Sequence, residues 1–127
     1  METTKAKILL IEDDTFLARM YKSKLNTENF EVLVAYDGEK GYAMALNDSP
    51  TAILLDIVLP KMDGYQVLKK LKDSEKTRYI PVILLTNLGQ KDDIDRGLAL
   101  GAKDYLIKAH FTPTEVVDKI KKVIEQG

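Results

Sequence analysis

Three observations predict an α/β fold on one parallel sheet for this chain of 127 residues. Short apolar runs rich in Val, Ile and Leu alternate five times with stretches of helical periodicity, a (βα)5 pattern. The runs are apolar throughout rather than at every second residue, as strands covered on both faces must be. Four of them end in polar groups: Glu12-Asp13-Asp14, Asp56, Thr86 and Lys108. The carboxyl ends of strands in an open parallel sheet meet one crevice, so carboxylates, a hydroxyl and an ammonium distant in sequence would converge there.

The first strand is Ile8 to Ile11. Beyond it Phe16, Leu17, Met20, Tyr21 and Leu25 recur at helical spacing, with Asp13 or Asp14 placed to cap the helix. Phe30 to Ala35 reads as the second strand, and Asp37-Gly38 turns into a short helix carrying Tyr42, Ala43 and Leu46. Ala52 to Asp56 is the third strand, after which Asp63-Gly64 opens a helix carrying Val67, Leu68 and Leu71. Pro81 leads into the fourth strand, Val82 to Leu85. Gln90 to Leu100 is a weakly amphipathic helix with Gly101 as its C-cap, and Tyr105 to Ile107 is the fifth strand. Thr112-Pro113-Thr114-Glu115 is a T-x-x-E capping box with Pro at the first helical position, and Val116, Val117, Ile120, Val123 and Ile124 form the buried stripe of the last helix. Short connections and right-handed crossovers predict strand order 2-1-3-4-5, a flavodoxin-like sheet with helices on both faces. Its switch point lies between the first and third strands, which end in Asp13 and Asp56.

Composition bounds the function. A chain of this length needs one core, which buries roughly two-thirds of the unfolded surface. No linker, low-complexity stretch or repeat divides residues 1–127, which read as one domain. Cys is absent, which excludes disulfides, thiol chemistry and cysteine metal sites. Lys and Arg number 19 against 20 Asp and Glu, a net charge of -1, so no general field draws the chain to nucleic acid or anionic lipid. No apolar stretch approaches the roughly 18 residues of a membrane span. The expectation is a soluble, cytoplasmic protein without a direct nucleic-acid or membrane partner.

The converging groups suggest a chemistry. Neighbouring carboxylates repel by about 1 to 4 kcal/mol per pair, depending on the local dielectric, unless a cation sits among them. Hard oxygen ligands select Mg2+, which keeps places open for a phosphoryl oxygen. Lys108 and Thr86 stand ready to hold the remaining phosphoryl oxygens, the electrostatic clamp that phosphoryl transfer needs. Asp56, at the end of the central strand, is the candidate nucleophile because carboxylates form acyl phosphates.

The segments Leu10-Ile11-Glu12-Asp13-Asp14, Leu54-Leu55-Asp56-Ile57-Val58-Leu59-Pro60-Lys61-Met62-Asp63-Gly64, Leu84-Leu85-Thr86 and Gly101-Ala102-Lys103-Asp104-Tyr105-Leu106-Ile107-Lys108 resemble the receiver domain of two-component response regulators. The resemblance spans essentially the whole chain and rests most on the D-x-x-x-P-x-M-D-G segment. It implies Asp56 as phosphoacceptor and Asp13 as direct Mg2+ ligand, with Glu12 acting through water. Asp56 would also bind the metal, and Val58 would contribute its backbone carbonyl. Thr86 and Lys108 become the phosphoryl-sensing pair and Tyr105 the switch aromatic. The implied donor is a histidine kinase or histidine phosphotransfer protein. The face of the fourth helix, fifth strand and fifth helix would meet a downstream protein target or a second copy, as in a homodimer. The chain departs from the family pattern after the switch hydroxyl, where Asn87 replaces the usual small residue. It departs again at Lys108-Ala109-His110-Phe111, which lacks the Pro that normally follows the Lys through a cis peptide and carries one extra residue before Phe.

Several residues have plainer readings. Asp63 is a turn and cap residue, and His110, the only histidine, has no partner in sequence. Tyr105 reads equally as a core aromatic or a switch. Lys119, Lys121 and Lys122 form a solvated helix face rather than a nucleic-acid patch. Among rival functions, an FMN binder needs a Gly, Ser and Thr-rich loop after the first strand, where this chain has acids that repel phosphate. A haloacid-dehalogenase phosphatase resembles the site but places a second acid two residues after its nucleophile, and here that residue is Val58. A phosphorylation-independent interaction module of receiver fold is the stronger rival, opposed by the complete acid set. The expectation is a stand-alone receiver, since no output domain follows Gly127. Its signal would leave by protein contact or relay, and it would do no enzymatic work beyond its own Mg2+-dependent phosphorylation and dephosphorylation.

Overall fold

Branched apolar residues pack well on a pleated surface, and here they build five parallel strands in order 2-1-3-4-5. The computed structural model describes residues 5–126. The strands are β1 (Lys7–Ile11), β2 (Glu31–Ala35), β3 (Ala52–Leu55), β4 (Val82–Thr86) and β5 (Asp104–Ile107). Between and after them run α1 (Thr15–Thr27), α2 (Gly38–Asp48), α3 (Gly64–Asp73), α4 (Lys91–Ala99) and α5 (Pro113–Gln126). Each strand ends within a residue of its expected bound, and pairing explains the differences. Lys7 joins β1 by pairing with Glu31, and Asp104 joins β5 by pairing with Ile83. The Phe30 N–H bonds instead to the Leu25 carbonyl at 3.1 Å, in the turn that closes α1.

Alternation along the strands divides the core between the two faces of the sheet. Ile8, Leu10, Leu54, Ile83, Leu85 and Leu106 pack with Ala18, Tyr21 and Leu25 of α1 and with Val116, Val117 and Ile120 of α5. Leu9, Ile11, Ile53, Leu55, Val82 and Leu84 face Ala45 of α2 and Val67, Leu68 and Leu71 of α3. Burying each Leu or Ile side chain stabilises the fold by about 1.5 to 3 kcal/mol, which is how unbroken apolar runs hold a two-sided sheet.

Helix ends follow the side chains placed there. Asp14 caps α1, accepting from the Leu17 N–H at 3.1 Å, so of the two candidates Asp13 is left free of that task. Asp37 and Asp63 cap α2 and α3, accepting from Lys40 and Gln66 at 2.8 and 3.0 Å. The predicted capping box closes, with Thr112 N–H to Glu115 at 2.9 Å and Glu115 N–H to the Thr112 hydroxyl at 3.2 Å. Gly101 takes φ 107° one residue past the α4 C-cap, Leu100. That left-handed residue lets Ala102 N–H reach back to the Gly97 carbonyl at 3.2 Å. The lysines of α5 correct one expectation. Lys121 pairs with Glu28 at 2.6 Å, tying α5 to the end of α1, and Lys119 lies 4.0 Å from Asp104, so only Lys122 is fully solvated. Among the described residues no helix is long and apolar enough to cross a membrane.

Candidate functional site

Register brings the polar strand ends together. Leu10 pairs with Leu54 and Ile11 with Leu55, so the next residues, Glu12 and Asp56, leave β1 and β3 side by side. Glu12, Asp56 and Lys108 each continue the alternation of Leu10, Leu54 and Leu106, and so fall on the same side of the sheet. Lys108 starts farther along its strand than Asp56, and its flexible stem spans β4 to return. The peptides of Lys108, Ala109 and His110 are trans and close into a single 3-10 turn, with His110 exposed. The ammonium still arrives, donating to Asp56 Oδ2 at 2.8 Å and lying 2.5 Å from Glu12 Oε1.

The carboxylate oxygens of Glu12, Asp13 and Asp56 lie within 4.8 Å of one another. Glu12 and Asp56 are buried, at 2% and 7% exposure, whereas Asp13 faces solvent. The remaining acceptors are partly occupied: Asp56 Oδ1 takes the Ile57 N–H at 2.7 Å and Glu12 Oε2 takes the Asp14 N–H at 3.1 Å. Burial pushes the Glu12 pKa up, against the lowering effect of its bonds to Lys108 and the Asp14 N–H. For Lys108 burial acts downward, but the hydrogen bonds to Asp56 and Glu12 outweigh it and hold the ammonium charged. Three carboxylates face one ammonium, which leaves the ionised cluster short of positive charge. Hard oxygen donors in this state suit a divalent cation such as Mg2+.

Close backbone approach holds the Asp56 segment in place. A Cβ on Gly64 would sit 2.3 Å from the Asp56 carbonyl oxygen, and the Gly64 N–H donates to the Ile57 carbonyl at 2.8 Å. Only glycine lets the start of α3 lie so near the end of β3. Val58 stands in the intervening loop, 62% exposed. Thr86 is buried at the end of β4, its hydroxyl accepting from the Leu88 N–H at 3.4 Å. Tyr105 is half-buried and packs with the α3 side of the core, its hydroxyl donating to the Leu88 carbonyl at 2.6 Å. Thr86 and Tyr105 thus hold the same residue of the β4–α4 loop.

The structure brings Glu12, Asp13, Asp56 and Lys108 together, and the absence of Pro after Lys108 does not misdirect its ammonium; Thr86 and Tyr105 are joined to each other through Leu88 rather than to the carboxylates. Two groups beyond the sequence reading lie around the site, the second without touching the carboxylates. One is the Ile57 N–H on Asp56, a backbone group invisible to side-chain patterns. The other is Tyr65, whose hydroxyl crosses from α3 to the Asp93 carbonyl at 2.9 Å. Its place on the buried face of α3 was readable from spacing, but its hydrogen bond was not.

Residues 8–121 match the family model of the response regulator receiver domain. Response regulator PleD of Caulobacter vibrioides is 46% identical over 103 residues, covering 81% of this chain and 23% of that protein. The transcriptional regulatory protein CpxR of Klebsiella pneumoniae is 43% identical over 121 residues, 95% of this chain and 50% of that protein. The chain therefore spans half or less of these curated relatives. Among solved structures, chemotaxis protein CheY4 of Vibrio cholerae superposes with a TM-score of 0.88 at 26% identity, covering 94% of this chain and 99% of that one. The receiver domain of sensor histidine kinase PA1611 of Pseudomonas aeruginosa, whose structure has magnesium coordinated in its active-site cleft, gives 0.88 at 29% identity, covering 96% and 99%. The family match, the strand order and the likeness to these solved receivers agree: the chain belongs to the receiver domain family of response regulators.

Proposed function

We propose that the chain is a phosphoacceptor switch of a two-component phosphorelay, acting in the cytoplasm and phosphorylated on Asp56 by a histidine kinase or histidine phosphotransfer protein. One observation carries the reading: Asp56 is buried at the carboxyl end of the central strand, held by Lys108 and flanked by Glu12 and Asp13. In the transfer an Asp56 carboxylate oxygen bonds to the donor phosphorus as the phosphorus–nitrogen bond of phosphohistidine breaks. The electron pair stays on the imidazole nitrogen, the ring takes a proton from solvent, and an acyl phosphate remains. Lys108 follows the new charge and, with the Thr86 hydroxyl, donates to the phosphoryl oxygens. Asp13 and Asp56 would hold Mg2+ directly, Glu12 through water, and Val58 through its carbonyl. Bound there, the metal neutralises charge on the phosphoryl oxygens. Thr86, drawn to the phosphoryl group, shifts the Leu88 segment that Tyr105 grips, and the α4, β5 and α5 face changes its affinity for a downstream protein or a second copy. The chain turns over no substrate other than its own phosphoryl group.

Intact-mass measurement after incubation with acetyl phosphate and Mg2+ tests this. One phosphoryl group, labile to hydroxylamine, should be added to wild type and none to Asp56→Asn. Equal labelling of Asp56→Asn would reject Asp56 as acceptor. Failure of the wild type to label with any donor, phosphohistidine included, would favour the phosphorylation-independent module.

A further inference from the structure

The core holds α4 least of all the helices. It has nine residues, with Gly97 its only buried one, and a helix that short does not persist on its own propensity. Its C-terminal half rests on β4 and β5 through Gly97, where a Cβ would lie 2.5 Å from Leu84 and 3.1 Å from the Tyr105 ring, and two phenols tie down its N-terminal turn. Tyr105 of β5 bonds to the Leu88 carbonyl just before α4, and Tyr65, the second residue of α3, bonds to the Asp93 carbonyl in the first turn. Arg96, one turn on, lies over the Tyr65 ring, 4.1 Å from its centre. The two phenols also feel each other: the Tyr105 pKa is raised, first by burial and then by the neighbouring Tyr65.

The other end of Tyr65 is fixed to the acid cluster. It follows Gly64, whose N–H bonds to the Ile57 carbonyl at 2.8 Å and which has no room for a Cβ against Asp56. The first turn of α3 therefore cannot move independently of the Asp56 segment. We propose that Tyr65 is a positioning residue that couples α3, and with it the Asp56 loop, to the first turn of α4, giving the site a second route to that helix beside the one through Thr86 and Leu88. Both routes end on α4, whose Gly97 lies against the Tyr105 ring, so a shift of the helix is felt there. The signalling half of this inference rests on Asp56 as phosphoacceptor, whereas the positioning half is a property of the unphosphorylated protein.

Tyr65→Phe removes the hydroxyl and keeps the ring beneath Arg96. Hydrogen exchange of the amides of residues 91–99 should quicken about fivefold without phosphodonor, the factor expected for losing one hydroxyl–carbonyl bond. Asp56 should still label at the wild-type rate. The phosphorylated-minus-unphosphorylated shift of the Tyr105 ring resonances should shrink, a readout that a merely structural role would not move. Wild-type exchange in α4 would overturn the proposal, and so would faster exchange with an unchanged Tyr105 difference. Should the wild type accept no phosphoryl group from any donor, the phosphorelay reading fails alone, and the exchange comparison still decides whether Tyr65 positions α4.

Discussion

Replacing Asp13 with Asn tests the metal site through stability rather than through phosphoryl transfer. The Asp13 carboxylate lies within 4.8 Å of those of Glu12 and Asp56, and at that distance two like charges repel by about 0.9 kcal/mol in bulk water. Asp13 is exposed, so the bulk-water figure is the appropriate one. Two partners double it, and Lys108, seated between Glu12 and Asp56, offsets part of the sum. The remainder is on the order of 1 kcal/mol, by which the metal-free variant should exceed wild type. With a urea slope of about 2 kcal/mol/M, the midpoint should rise by about 0.5 M. Mg2+ should act in the opposite sense. At tenfold its dissociation constant it stabilises a native state that binds it by about 1.4 kcal/mol, and only the wild type should gain this. Helix capping does not confuse the result, because Asp14 is the residue that caps α1. Urea denaturation followed by circular dichroism, on both proteins with and without millimolar Mg2+, supplies the four midpoints. Equal values in all four conditions would refute Asp13 as a metal ligand.

Two further outcomes follow from the same geometry. Burial raises the Glu12 pKa, so this group favours the fold fully below its unfolded value, near 4.5, and that contribution is lost as pH rises through the higher folded value. The Glu12 contribution to metal-free wild type should therefore grow as pH falls towards about 4.5, and Glu12→Gln should remove that growth; parallel denaturation profiles would contradict it. Val58 and Leu88 stand two residues after Asp56 and Thr86 and carry no group that orients water, so on the proposed reading the phosphorylated protein should decay slowly, and Val58→Asn or Leu88→Glu should hasten loss of the phosphoryl mass. Decay that ignores both substitutions would show that neither residue controls water attack.

The strands were legible because a buried parallel strand must be apolar at every position, and no other element of this chain has such short unbroken runs. Boundaries were less so: whether Lys7 or Asp104 belongs to a strand depends on a partner across the sheet, not on its own type. Asp13 and Asp14 are equal in local sequence, and only the fold distinguishes the cap from the free carboxylate. Lys108 was legible from its place at the end of the fifth apolar run, and its aim survives an unusual loop because a long flexible side chain tolerates small changes at its root. Tyr65 shows the limit. Helical spacing placed its neighbours Val67, Leu68 and Leu71 on the buried face, but a hydroxyl bonded to a carbonyl 28 residues away is a tertiary fact without a periodic signature.

Alternation along the strands has a consequence for how such a protein can diverge. Glu12, Asp56 and Lys108 belong to the side of the sheet covered by α1 and α5, whereas Tyr105 packs with the side covered by α3. The sheet is thus a party wall, with the charged cluster in one room and the aromatics of the proposed switch in the other. On the proposed reading, substitutions on the α1 side that keep the acid cluster intact would leave the packing of Tyr105 as it is, and changes around α4 would leave the pairing of Lys108 with Asp56 and Glu12 as it is. Only the few residues that pierce the wall at its open end must change in concert.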